Sequence, residues 1–131
     1  MKPKLSVEAR HDDAGVVFSF RKKNINGLLG FRVEQANNQE VLWDLNLNYY
    51  NESSLVYGRI PSHFKTFNGA TGEAKQTIPA GNERPKIFPP NCRFRLTVIA
   101  QCDEALAATA KPFYFSFSSD MDGNISKLIP E

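Results

Sequence analysis

Between Cys92 and Cys102 the chain alternates with a period of two. Cys92, Phe94, Leu96, Val98, Ala100 and Cys102 fall on one side, and Arg93, Arg95, Thr97, Ile99 and Gln101 fall on the other. Successive side chains of a β-strand point to opposite faces, whereas a helix repeats every 3.6 residues. The pattern therefore predicts a half-buried strand with a polar outer face. The same period recurs along the chain. Val41 to Asn48 sets Val41, Trp43, Leu45 and Leu47 against Leu42, Asp44, Asn46 and Asn48. In Pro112 to Ser118, Phe113, Phe115 and Phe117 alternate with Tyr114, Ser116 and Ser118. Gly15 to Arg21 puts Val16, Phe18 and Phe20 in phase, and Leu29 to Gln35 does so for Leu29, Phe31 and Val33. Leu5, Val7 and Ala9 predict an opening strand. Leu55 and Tyr57 predict a short one stopped by Gly58 and Pro61.

Turn residues separate these runs. Asp12-Asp13-Ala14-Gly15, Asn24-Ile25-Asn26-Gly27, Ala36-Asn37-Asn38-Gln39, Pro79-Ala80-Gly81-Asn82 and Pro89-Pro90-Asn91 all read as breaks, and Asn26-Gly27 is a strong turn dipeptide. Short strands divided by turns predict an all-β protein, an antiparallel two-sheet sandwich of about seven strands. At 131 residues the chain is expected to form one domain, spanning 1–131, large enough to fold without a disulfide or metal. Ten Phe against one Trp and two Met predict a Phe-dominated core. Asp103 to Ala110 has helix-forming composition, but it is short, so it reads as a loop with one turn of helix. The least patterned region is 62–88, a long loop-rich segment with a candidate strand at Lys75 to Ile78. The tail Asp120 to Glu131 reads either as a final edge segment carried by Ile125, Leu128 and Ile129 or as a loose end.

The run Pro89-Pro90-Asn91-Cys92-Arg93-Phe94-Arg95-Leu96-Thr97-Val98-Ile99-Ala100 resembles the sixth strand of fibronectin type III domains. Phe31-Arg32-Val33 followed by Val41-Leu42-Trp43 resembles that family's middle hairpin. Phe94 stands where the family usually carries tyrosine, so the hydroxyl of the tyrosine corner is missing. The resemblance covers about a third of the chain and implies an immunoglobulin-like sandwich. It implies nothing about function, because such sandwiches host many unrelated ones.

Charge and cysteine usage narrow the functional classes. A net charge of +2 is too weak to indicate nucleic acid. No run approaches the ~20 apolar residues of a membrane span, and the N-terminal residues lack the apolar core of a signal peptide. If Cys92 and Cys102 lie on one strand, their Cα atoms are about 33 Å apart at ~3.3 Å per residue, far beyond disulfide reach. Two thiols fit a reducing, cytoplasmic setting.

No catalytic or metal motif emerges. His11-Asp12-Asp13 reads as turn chemistry before it reads as a metal cluster, and Ser62-His63 adjacency is no evidence of a nucleophile. The cysteines lack a Cys-x-x-Cys spacing, so no zinc site is expected. Asp120-Met121-Asp122-Gly123-Asn124 reaches its glycine too early for a calcium loop and reads as a turn. Neither an enzyme nor a cofactor is expected. The leading expectation is a non-enzymatic module that binds another protein, through Tyr49, Tyr50, Tyr57, Arg59, His63 and Phe64. The alternative is a carbohydrate-binding module, which would need the tyrosines in an exposed row. A third surface, Arg93 and Arg95 beside Tyr114 and Ser116, could stack nucleic-acid bases. Pairing of those arginines with acidic residues across strands is the simpler expectation.

Overall fold

The computed structural model describes residues 2–13, 15–59, 65–66, 73–77, 88–103 and 108–131. The alternating runs become strands in the order β1 (Lys4–Asp12), β2 (Gly15–Lys23), β3 (Ile25–Gln35), β4 (Val41–Tyr50), β5 (Ser54–Val56), β6 (Lys65–Thr66), β7 (Glu73–Thr77), β8 (Arg93–Asp103), β9 (Ala108–Ser118) and β10 (Ile129–Pro130). There is no helix among the described residues. Two sheets form. One has the order β1-β2-β5 and the other β10-β9-β8-β3-β4-β7-β6. Every pairing is antiparallel except β6 with β7. The result is an all-β, two-sheet, sandwich-like protein. It exceeds the expected seven strands because short pieces flank the longer ones.

The two sheets meet on an aromatic core. Phe18 and Phe20 of β2 reach across to Phe117 of β9 and Phe31 of β3, with ring centroids 6.4 and 5.2 Å apart. Tyr57, just beyond β5, packs edge-on against Trp43 at 5.2 Å and stacks on Phe88 at 4.4 Å. Phe88 continues to Phe94 at 5.0 Å and Phe117 at 5.3 Å. Phe18, Phe20, Phe31, Phe88, Phe94, Phe115 and Phe117 are all buried, so the core is rich in Phe, and leucines share it in similar number. Each such ring contributes roughly 1.5–3 kcal/mol through burial, and edge-on or offset pairs add to that.

Several sequence expectations need correcting. The break expected at Asn24 to Gly27 is present, but Asn26-Gly27 is not its turn. The chain turns at Asn24, whose φ is 59°, and β3 is already under way at Ile25. β2 and β3 lie in different sheets, so the link is a crossover and not a hairpin. The register of β3 against β8 then shifts between Ile25 and Gly27 and again between Leu28 and Gly30. That second irregularity turns Leu28 fully inward and leaves Leu29 only partly buried. The predicted turn of helix near Asp103–Ala110 is absent from its described ends: Asp103 pairs with Ala108, and β8 and β9 run as one long hairpin. At Asp103 and at Ala108 to Ala110, cross-strand hydrogen bonds outweigh helix propensity. Residues 104–107 lie outside the described residues. Within 62–88, the candidate strand at Lys75 appears as β7, and β6 is an addition.

Other readings hold. Asp13 forms the turn between β1 and β2. Ala36 to Asn38 turn the chain between β3 and β4, with Gln35 N donating to Glu40 O at 2.8 Å. The Asp120 carboxylate accepts from the Asp122 and Asn124 amides at 2.9 and 3.0 Å, closing a tight turn with Gly123 at φ 81°. Cys92 and Cys102 are both thiols.

Candidate binding groove on the outer sheet face

The residues singled out from the sequence do not assemble into one surface. Tyr50 and Tyr57 are core residues, 4% and 2% exposed. Their burial removes the exposed tyrosine row on which the carbohydrate reading stood. Strict alternation from Trp43, Leu45 and Leu47 places Tyr50 outward. The β3–β4 register, however, jumps from Leu28↔Tyr50 to Gly30↔Asn46, and across this irregularity the inward phase changes on both strands, so that Leu28 and Tyr50 are buried together. Tyr50 then packs edge-on against Phe31 at 6.2 Å, and its hydroxyl donates to the Ser54 carbonyl. Tyr57 shares the phase of Leu55, a signal of burial visible in the sequence. Arg59 is exposed and its amide donates to Val56 O at 3.1 Å. Tyr49 lies on β4, but its side chain is outside the described residues, as are His63 and Phe64. Among the described residues, no three His, Cys, Asp or Glu side chains are placed to hold a metal ion.

A concave site does occur elsewhere. It lies on the outer face of the large sheet, a groove of about 440 Å³ spanning β3, β8 and β9. The turn after β3 borders one side, through Gln35 and Gln39, and the tail borders the other, through Ser126, Ile129 and Glu131. The strand period builds its floor. Phe94 and Phe117 turn inward, so Arg93, Arg95, Ser116 and Ser118 turn outward in cross-strand register, Arg93 against Ser118 and Arg95 against Ser116.

Arg95 organises the electrostatics. Its Nη2 and Nε donate to the two Glu131 carboxylate oxygens at 2.8 and 3.1 Å. Its guanidinium also sits 5.3 Å from the centre of the Tyr114 ring, a cation–π contact. Hydrogen bonding to Glu131, followed by that carboxylate's charge and the nearby Glu34, pushes the Arg95 pKa above its usual value. Arg93, two residues back on the same face, is exposed, and among the described residues no carboxylate lies within ion-pair distance of it. The basic-aromatic surface considered from the sequence is therefore assembled. Of its two arginines, Arg95 is paired with an acid, as the simpler expectation had it, although that acid comes from the tail and not from a neighbouring strand.

Glu131 reaches Arg95 because the tail folds back. Leu128 is buried in the core and Ile125 packs against it. Ile129 and Pro130 pair with Ser116 and Phe115, and Glu131 N donates to Tyr114 O at 2.9 Å. The sequence signal for this return was the apolar set Ile125, Leu128 and Ile129. Nothing in the sequence showed that a carboxylate would follow it into the groove. Comparison with protein-family models, curated proteins and solved structures finds no match.

Proposed function

We propose that this protein is a non-enzymatic binding module that takes up an extended, acidic polypeptide segment in the outer-face groove. One observation carries the reading: the chain already lays an extended segment of its own there. Ile129 to Glu131 adds to the edge of β9 and seats a carboxylate on Arg95. Strand addition combined with charge-assisted pairing is a common mode of peptide recognition. Arg93 offers a second guanidinium at the spacing of alternate side chains on an extended partner, roughly 7 Å. Ile129, 61% exposed, offers an apolar contact beside it. A reducing compartment is consistent with the two thiols.

Selection of a displayed random-peptide library on the intact protein tests this. Enrichment of acidic sequences by the unaltered protein, abolished in Arg93→Glu, is the expected result. Absence of enrichment, or the same acidic pool from both proteins, overturns it.

A further inference from the structure

The four outer strands of the two sheets are not alike. Among the described residues, β5, β6 and β10 are three, two and two residues long, and β10 contains Pro130. Short edges and proline are the usual protection against unwanted strand pairing. β1 has neither. It is nine residues long, contains no proline, and pairs one-to-one with β2 without a register shift. Among the described residues, no backbone hydrogen bond joins β1 to any strand except β2. The tail touches β1 through a side chain instead, the Ile125 amide donating to His11 Nε2 at 3.3 Å. Among the described residues, a straight row of amides and carbonyls from Lys4 to Arg10 is thus left along its other side.

The outward side chains of β1 decide what suits that row. Lys4, Ser6, Glu8, Arg10 and Asp12 alternate with the inward Leu5, Val7 and Ala9, and all five are exposed. Glu8 and Arg10 have no ion-pair partner among the described residues, although Arg10 Nη1 donates to Ser19 Oγ at 3.0 Å. Opposite charges facing each other across strands stabilise a pair, and like charges destabilise it. Parallel, in-register pairing of two β1 strands would set every charge against its own kind. Antiparallel pairing about a two-fold axis at Val7 would set Lys4 against Arg10. An axis at Ala9 sets Glu8 against Arg10 of the second copy, twice by symmetry, with Ser6 against Asp12 and no like charges opposed. Ala9, with its small side chain, then lies on the axis.

We propose that β1 is a self-association edge: two copies of this chain pair antiparallel through β1 about Ala9, joining their small sheets into one continuous sheet. The contact is isologous, so it closes as a dimer and does not propagate. The small sheet gains most from it, because it has three strands against seven in its partner sheet. This inference is independent of the groove on the opposite sheet.

The reciprocal charges give a specific test. Sedimentation equilibrium of the unaltered protein over a range of concentrations is expected to show mass rising from 14.7 kDa toward twice that value. Glu8→Arg alone and Arg10→Glu alone each place like charges opposite one another at two places. Each is expected to weaken self-association about tenfold or more. The double variant Glu8→Arg/Arg10→Glu restores both contacts with inverted sign and is expected to recover the dimer. Both residues are exposed, and circular dichroism verifies that every variant keeps its strand signal. A protein that stays monomeric at all concentrations, or single variants that associate normally, overturns the proposal. Failure of the double variant to recover overturns the pairing about Ala9.

Discussion

The two faces of the large sheet use the same strands for opposite purposes. On the inner face, β8 and β9 contribute Phe94, Leu96, Val98, Phe115 and Phe117, all buried, with Phe94 and Phe117 stacked at 5.2 Å. On the outer face, one residue along, they contribute Arg93, Arg95 and Ser116 to a groove, with Tyr114 against the Arg95 guanidinium. The inner contacts are dry and interlocked, so each ring's loss leaves a hole. The outer contacts are wet and charged, so a lost one is replaced by water. The difference teaches where stability resides: a single residue step along a strand separates a group that holds the fold from one that faces solvent, the face on which recognition is proposed.

Trp43→Ala should separate the faces most widely. Trp43 is fully buried, edge-on to Tyr57 and stacked 6.3 Å from Phe31. Its truncation is expected to cost about 3–5 kcal/mol by loss of transfer energy and creation of a cavity. Arg93→Ala on the outer face is expected to change stability by no more than ~0.5 kcal/mol. Urea denaturation of both variants measures the gap. Comparable losses would mean that the outer face is part of the structural core after all.

Tyr50 is expected to give an intermediate effect, because it is buried yet polar. Tyr50→Phe keeps the ring against Phe31 and removes the hydroxyl that donates to Ser54 O, at an expected cost of about 1 kcal/mol. The same hydroxyl makes the fold sensitive to alkali. Burial, and then the charge of Glu52, pushes its pKa from 10.0 up to about 12. Burial also pushes the Tyr57 hydroxyl up. In the unfolded chain a tyrosine loses its proton near pH ~10, so above that pH the unfolded state binds fewer protons than the native state. Stability from Tyr50 is therefore complete below about pH 10 and is lost as pH rises toward about 12. Unfolding free energies across that window should fall less steeply for Tyr50→Phe than for the unaltered protein. Parallel curves would remove Tyr50 as a source of the decline.

Much of this architecture was legible because it depends on a period of two. Cys92–Cys102, Pro112–Ser118 and Gly15–Arg21 needed only the inward and outward alternation that sheet packing imposes; the first lies in an observed strand from Arg93 onward, and the other two lie wholly within strands. What failed did so where the period breaks. Bulges shift one strand against its neighbour, and nothing local in Leu28-Leu29-Gly30 or in Leu47 to Tyr50 marks them. The phase of Tyr50 inverted for that reason, and the expected tyrosine surface disappeared with it. Half of the groove was visible, since Arg93, Arg95, Ser116 and Ser118 come from two neighbouring paired strands. The other half was not, because Glu131, just past β10, and Glu34 of β3 come to Arg95 from positions distant in sequence.

The smallest effect on stability, and the most informative about recognition, is expected from Glu131→Gln. The Arg95–Glu131 pair has well-formed geometry, but the two side chains are 45% and 34% exposed. Ion pairs that open to water contribute little to folding, because solvent screens the attraction and two long side chains lose freedom to make it. Midpoint temperature should therefore hardly move. Binding should respond differently: Glu131 occupies the guanidinium that an incoming carboxylate would use, so neutralising it frees Arg95. Peptides enriched by the unaltered protein are expected to bind Glu131→Gln more tightly, with a steeper dependence on salt as more charge pairs form across the interface. Calorimetric titration at two ionic strengths reads both quantities. A marked fall in midpoint temperature with unchanged or weaker binding would reverse the assignment. Glu131 would then be a structural clasp for the tail, and the outer face would serve stability as the inner face does.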